Sequence, residues 1–237
     1  MMSLGKLLAV AGLTLGAPFG LAAAGSLPEG SPLPPAQRGV NIGSGPKAPA
    51  TEAPIEQLQM SSDLLAFGRQ AKDPLALVVA ARVMKATGGS EVERKSANDG
   101  AAQKSGQPVS PDSILAEARD LAKGDKIIGL LIDETATMRP GPADTGPKTH
   151  QDTVQPGATD VFNIIFSGGE LAEVGIAGDG ESDLDLFVYD ENEHLVCRSA
   201  GSTDREYCRW WPRWTGPFRI EVQNLGGVAN LFRLATN

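Results

Sequence analysis

The sequence of 237 residues predicts a mixed fold of separate domains, a small helical segment over 55–137 followed by an antiparallel β-sandwich over 153–237. Three observations predict it. Between 55 and 137 apolar residues recur at helical spacing, and helix starts carry a capping residue followed by proline. Beyond about residue 157 the apolar period falls to two. Proline- and glycine-rich stretches at 25–54 and 138–152 read as linkers between the parts.

The chain opens with one early charge, Lys6, then an apolar run from Leu7 to the small residues Ala22, Ala23 and Ala24. That pattern predicts a signal peptide over 1–24, with an uncleaved N-terminal anchor as the alternative. Gly12, Gly16, Pro18 and Gly20 weaken a spanning helix, and no cysteine stands at the cut to suggest a lipid anchor. The expectation is a periplasmic or secreted protein with no membrane span after cleavage. The net charge of −8 argues against nucleic acid as a partner. The two cysteines, Cys197 and Cys208, read as one disulfide in an exported chain, closing a short loop and stabilising by roughly 2–3 kcal/mol.

Residues 25–54 hold seven prolines and little apolar surface, and predict a tether. From Ile55, the residues Leu58, Ser62, Leu65 and Phe67 mark a helix running to about Lys72. Asp73 and Pro74 cap and start a second, with Leu75, Val78, Val79, Arg82 and Val83 as its expected inner face and Gly88-Gly89 as its stop. The polar stretch near 88–108 reads as a flexible loop. Ser110 and Pro111 open a third helix with Ile114, Leu115 and Ala118 inward. Asp125 caps a fourth that carries Ile127, Ile128, Leu130, Leu131 and Ile132. Strand alternation then appears at Val161–Phe166, Ala172–Ile176, Leu184–Tyr189, Phe218–Gln223 and Phe232–Leu234.

The run GDGESDLDLFVYDENEHLV (178–196) and the later CRWWPRWTGPFRIEVQNLG (208–226) resemble the bacterial pre-peptidase C-terminal domain. The matching pieces are Asp183-Leu184-Asp185-Leu186 leading into Val188-Tyr189-Asp190, then Trp214–Phe218, then Ile220–Asn224. The resemblance spans about 153–237 and leaves the helices unexplained. It implies a jelly-roll-like sandwich, an exported location, and a binding or spacing role, with calcium in some relatives. The chain departs from the family at Glu193, where a turn glycine is common, and no peptidase precedes the module.

Three chemistries compete for the conspicuous residues. Asp179, Asp183 and Asp185 are the candidate calcium ligands, because calcium takes six to eight oxygens, although no EF-hand spacing is present. The plainer reading is a solvated acidic strand. Trp210 and Trp214 are the candidate aromatic surface for a glycan, against the ordinary alternative that Trp211 or Trp214 is core. Catalysis has little to build on. His150 falls in a predicted linker and His194 in an acidic hairpin, and neither HExxH nor GxSxG occurs. The expected function is therefore a non-enzymatic accessory or binding module of the cell envelope, meeting an unknown protein or envelope polymer. A calcium-stabilised structural domain is the alternative, and a glycan-binding module or a hydrolase stands further off.

Overall fold

A computed structural model of the chain describes residues 39–45, 54–97 and 109–237. The expected signal peptide and most of the first linker lie outside the described residues. Among the described residues four helices form: α1 (Pro54–Ala71), α2 (Pro74–Thr87), α3 (Pro111–Ala122) and α4 (Lys126–Thr137). Their starts follow the sequence. The Asp73 carboxylate accepts from the Leu75 and Ala76 amides, the Asp125 carboxylate from Ile127 and Ile128, and Ser110 and Ser113 form a reciprocal capping box.

The described residues form nine strands in two sheets: β1 (Ser90–Glu91), β2 (Lys148–Val154), β3 (Thr159–Phe166), β4 (Ala172–Ala177), β5 (Leu184–Tyr189), β6 (Leu195–Ser199), β7 (Arg205–Trp210), β8 (Gly216–Asn224) and β9 (Asn230–Thr236). One sheet has the order β1-β2-β9-β4-β7 and the other β3-β8-β5-β6, so the fold is a β-sandwich. All pairings are antiparallel except β1 with β2. The inner faces meet in one core that includes Phe162, Phe166, Val174, Ile176, Leu186, Val188, Phe218 and Phe232. The Cys197–Cys208 disulfide ties β6 to β7, joining the edge of one sheet to the edge of the other.

Several expectations need correction. The helices are not a separate domain on a tether. Their core of Ile55, Leu58, Leu77, Ala81, Ile114 and Ile132 continues into Ala235 and Tyr207 on the outer face of the five-stranded sheet. Gly175 of β4 lies between those two residues in register, paired with Ala235 on one side and Tyr207 on the other. A Cβ on Gly175 would come within 2.7 Å of both Ile55 and Gln59, so α1 sits where only a glycine leaves room. Gln59 fastens the contact, its amide donating to the carbonyls of Ile176 and Glu206.

The predicted linker at 138–152 ends early, because 148–152 belong to β2 and pair with β9. His150 is accordingly buried in a strand, not exposed in a linker. The described part of the loop near 88–108 is also fixed. Ser90–Glu91 add a short parallel strand, and Ala97 donates to the Val161 carbonyl. The inner face of α2 differs from the one its large residues suggested. Leu75 and Val79 point out, while Ala76, Leu77, Val78, Ala80, Ala81 and Met84 are buried, since small residues let three helices close on α2. Phe67, Ile127 and Leu130 are likewise exposed.

The tether reading of 25–54 also fails at 39–45. Asn41 is fully buried at the sandwich end. Its side chain accepts from the Arg213 and Trp214 amides and donates to the Trp214 carbonyl, and Gly43 donates to the Trp211 carbonyl. Composition set the expectation, and one amide side chain able to donate and accept at once overrides it.

Gly175→Ala is expected to destabilise the whole chain by about 1–3 kcal/mol, a fall of several degrees in melting temperature, through overpacking under α1. Thermal unfolding followed by circular dichroism checks this; an unchanged melt would mean α1 is not held against β4.

Candidate functional site

The acidic stretch divides in two. Asp179 sits in the turn after β4, where its carboxylate accepts from the Glu181 and Leu231 amides and so ties the turn to β9. That turn is further held by Asp204 and Asn230, which accept from the Gly180 and Asp179 amides respectively. Asp179 thus serves the backbone and does not join the other two acids. Among the described residues no group of three or more His, Cys, Asp or Glu is placed to hold a metal.

Asp183 and Asp185 do come together at the start of β5. Asp185 is 6% exposed, and the Oδ1 atoms of both residues are buried with no hydrogen-bond partner among the described residues. Burial, then the charge of Asp183, raise the Asp185 carboxyl above its ordinary value, and Arg198 opposes them. Two neighbouring carboxylates with orphaned oxygens favour either a bound proton or a cation between them.

From Asp185 the outward side of β5 continues through Phe187 and Tyr189, since residues two apart share a face. Register places Gln223, Glu221 and Arg219 of β8 directly opposite them. The Arg219 guanidinium lies over the Tyr189 ring, 4.3 Å from its centre, and Arg198 over Phe187 at 5.6 Å. Val161 and Asn163 of β3 extend the same face beyond β8. The helices pack on the other sheet, and on this four-stranded face Asp185 is buried while Phe187, Tyr189, Arg219, Glu221 and Gln223 are half-buried.

The described tryptophans do not form the exposed row that a glycan-binding surface would need. Trp210 is core, 3% exposed, with edge-on contact to Phe166 at 4.9 Å between ring centres. Trp214 is partly covered, its indole N–H donating to Glu191 at 2.5 Å. Trp211 lies under Gly45 of the N-terminal segment. Alternation in β7 decides which ring is inside, and it places Trp210, one of the two candidate surface residues, in the core.

The histidines are structural. His194 closes the β5–β6 turn, its Nδ1 lying 3.1 Å from the Asp190 carboxylate. Burial alone would raise the Asp190 carboxyl. Donation from the Asn41, His194 and Asn192 amides and the His194 ring outweighs it and holds the group below its usual range. The main-chain carbonyl of Asp190 accepts from the amide of Glu193, whose φ of +63° is the left-handed conformation that glycine takes more easily. His150 packs edge-on against Phe162, with Nδ1 beside the Val92 carbonyl and the Arg94 amide.

No protein-family model matches the sequence, and no curated protein matches it. Among solved structures, the fold is similar to the pre-peptidase C-terminal domain of a collagenase from Bacillus anthracis, at 12% identity and a TM-score of 0.32, over 38% of this chain and 88% of that one. It is also similar to the Yersinia pseudotuberculosis-derived mitogen, at 12% identity and a TM-score of 0.30, over 39% and 85%. A designed double-stranded β-helix matches at 19% identity and a TM-score of 0.25, over 38% and 99%. Each covers less than two fifths of this chain, and none assigns an activity.

The sign of the Asp185 effect is definite. With the folded pKa raised above the unfolded one, both states are protonated below the unfolded value and the residue costs nothing there. As pH rises through the folded pKa the native state loses stability relative to the unfolded chain. In metal-free buffer Asp185→Asn is therefore expected to melt with the parent near pH 3 and above it at pH 7. Parallel melting curves across that range would contradict the raised carboxyl.

Proposed function

We propose that this chain is an exported, non-enzymatic binding module of the cell envelope, a jelly-roll-like sandwich of the pre-peptidase C-terminal kind. The observation that carries the reading is the bare face of the four-stranded sheet. The helices pack on the outer face of one sheet, and among the described residues no helix packs on the outer face of the other. On it Asp185, Phe187 and Tyr189 run opposite Gln223, Glu221 and Arg219. An extended polar polymer laid along the strands meets a ring, an acceptor and a donor within a few residues. The partner that suits this set is an envelope polysaccharide, whose hydroxyl groups both donate and accept and whose ring faces pack on aromatic side chains. The disulfide supports the exported location, because such bonds persist in oxidising compartments.

Co-sedimentation of the oxidised chain with insoluble cell-wall polysaccharide tests this. Tyr189→Ala and Phe187→Ala should each weaken binding on the order of tenfold without lowering the folded fraction. Failure of the parent to bind, or binding untouched by both variants, would reject the reading.

A second reading rests on the orphaned Oδ1 atoms of Asp183 and Asp185, which suit a calcium ion completed by turn carbonyls and water. The ion would then act as a structural clamp on the start of β5. At about a hundred times its dissociation constant it adds about 2.7 kcal/mol, or several degrees of melting temperature for a chain of this size. Melts in millimolar calcium and in EDTA should differ by that amount, with the difference lost in Asp183→Asn and Asp185→Asn. Coincident melts would remove calcium from the account.

A further inference from the structure

At one end of the seam between the helices and the five-stranded sheet lies a cleft of about 390 Å³. That volume is near the lower end of the range that holds small molecules. Three arginines reach it, and they are not equivalent. Arg69 of α1 pairs with Glu117 at 3.0 Å, and Arg205 of β7 pairs with Asp63 at 2.6 Å. Arg233 of β9 has no carboxylate within ion-pair distance among the described residues. Its Nη2 donates to the Val109 carbonyl, its Nη1 has the Met84 thioether at 3.2 Å, and its Nε is buried with no partner among the described residues.

A thioether is a weak acceptor, and a desolvated cation without a counter-charge is costly. Burial pushes the Arg233 guanidinium below its ordinary pKa, and only the more distant Glu91 opposes that. The remainder of the lining is mixed: the apolar Leu65, Ala66 and Met84, the amides Gln70 and Gln151, and at the rim Asp179, whose carboxylate already accepts from the Glu181 and Leu231 amides. The surrounding chain carries a net charge of −8, so an unpaired positive charge here is a local feature and not part of a general basic field.

We propose that this cleft binds a small carboxylate with an apolar body. The carboxylate takes the place of the Met84 sulfur at Nη1, and the body lies along Leu65, Ala66 and Met84. A single uncompensated guanidinium matches one negative charge. A phosphate dianion would need a second free cation, and Arg69 and Arg205 are already engaged. The carboxylate has two sources of the same chemistry, a free organic acid or the C-terminus of a peptide ending in an apolar residue. This site lies against the opposite sheet from the proposed polymer face, so either can fail without the other.

Isothermal titration of the full oxidised chain tests the proposal with hexanoate, hexanamide, N-acetyl-leucine, N-acetyl-leucinamide and inorganic phosphate. At least one of the two acids should bind while its neutral amide does not, and which acid binds more tightly identifies the source. Arg233→Gln should weaken that binding at least tenfold, and Phe187→Ala should leave it unchanged. If Arg233→Gln does not fold, Ala66→Phe, which fills the cleft and keeps the guanidinium, should abolish binding instead. The proposal is overturned if neither acid binds, if an amide or phosphate binds as well as the acids, or if both variants bind like the parent.

Discussion

The structure depends on one sheet being buried on both faces. β4 reads AEVGIA, and its residues serve two cores in alternation. Ala172, Val174 and Ile176 enter the sandwich, while Glu173 and Gly175 lie beneath the helices. A sheet between two layers needs small residues wherever a helix presses closely, and the row Ala235–Gly175–Tyr207 supplies two of them. The third is an aromatic whose hydroxyl has to be satisfied. It donates to Glu173, and burial with that neighbour pushes the tyrosine pKa upward. Glu173 is itself raised by burial and by Glu56, with Tyr207 and Arg209 acting against the rise. The seam is therefore held by close packing and one polar pair, with the ends of Gln59 bound to sheet carbonyls.

The same constraint explains the far end of the sandwich. Two sheets closed by a β6–β7 disulfide still leave turn amides exposed between β5 and β6 and between β7 and β8. The N-terminal segment fills that need. Asn41 gives its backbone N–H to Asp190 and its side chain to the Trp214 and Arg213 backbone, so a piece of apparent linker completes two turns at once. Asp190 collects amides from three neighbours, which is how a nearly inaccessible carboxylate remains charged.

Local signals were legible in the sequence wherever structure is local. The caps at Asp73, Ser110 and Asp125, the alternation of β5 and β8, and the cysteine pair each follow from neighbours within a few residues. What escaped was decided by tertiary context. β2 reads KTHQDTV, a polar string beside a proline, and becomes a strand because β9 pairs along its length. The inner face of α2 consists largely of alanines, which a search for large apolar residues passes over. Trp210 and Trp211 are adjacent, and only the register with Ala172 sends the first one inside. For the candidate site, Asp183 with Asp185 was visible as an alternating pair. Their separation from Asp179 was not, because it depends on Leu231, far along the chain.

Arg219 and Arg233 show how the two layers divide structure from binding. Both stand on outward strand positions of the sandwich. Arg219 is on the bare face, where Tyr189, Glu193 and Glu221 surround it and leave its charge answered. Arg233 is on the covered face, where Met84 of α2 brings a thioether and Val109, just before α3, a carbonyl, and no carboxylate of the described residues lies within ion-pair distance. A helical layer evolved only to shield the sheet would do better with an apolar residue there, since hydrophobic packing avoids the cost of a buried charge. Retaining a guanidinium beneath a lid, at the mouth of a cavity, has a physical rationale when a negative charge arrives from outside the described residues. The helices are then not simply a cover for the sandwich, but the second wall of a site that the sandwich alone lacks.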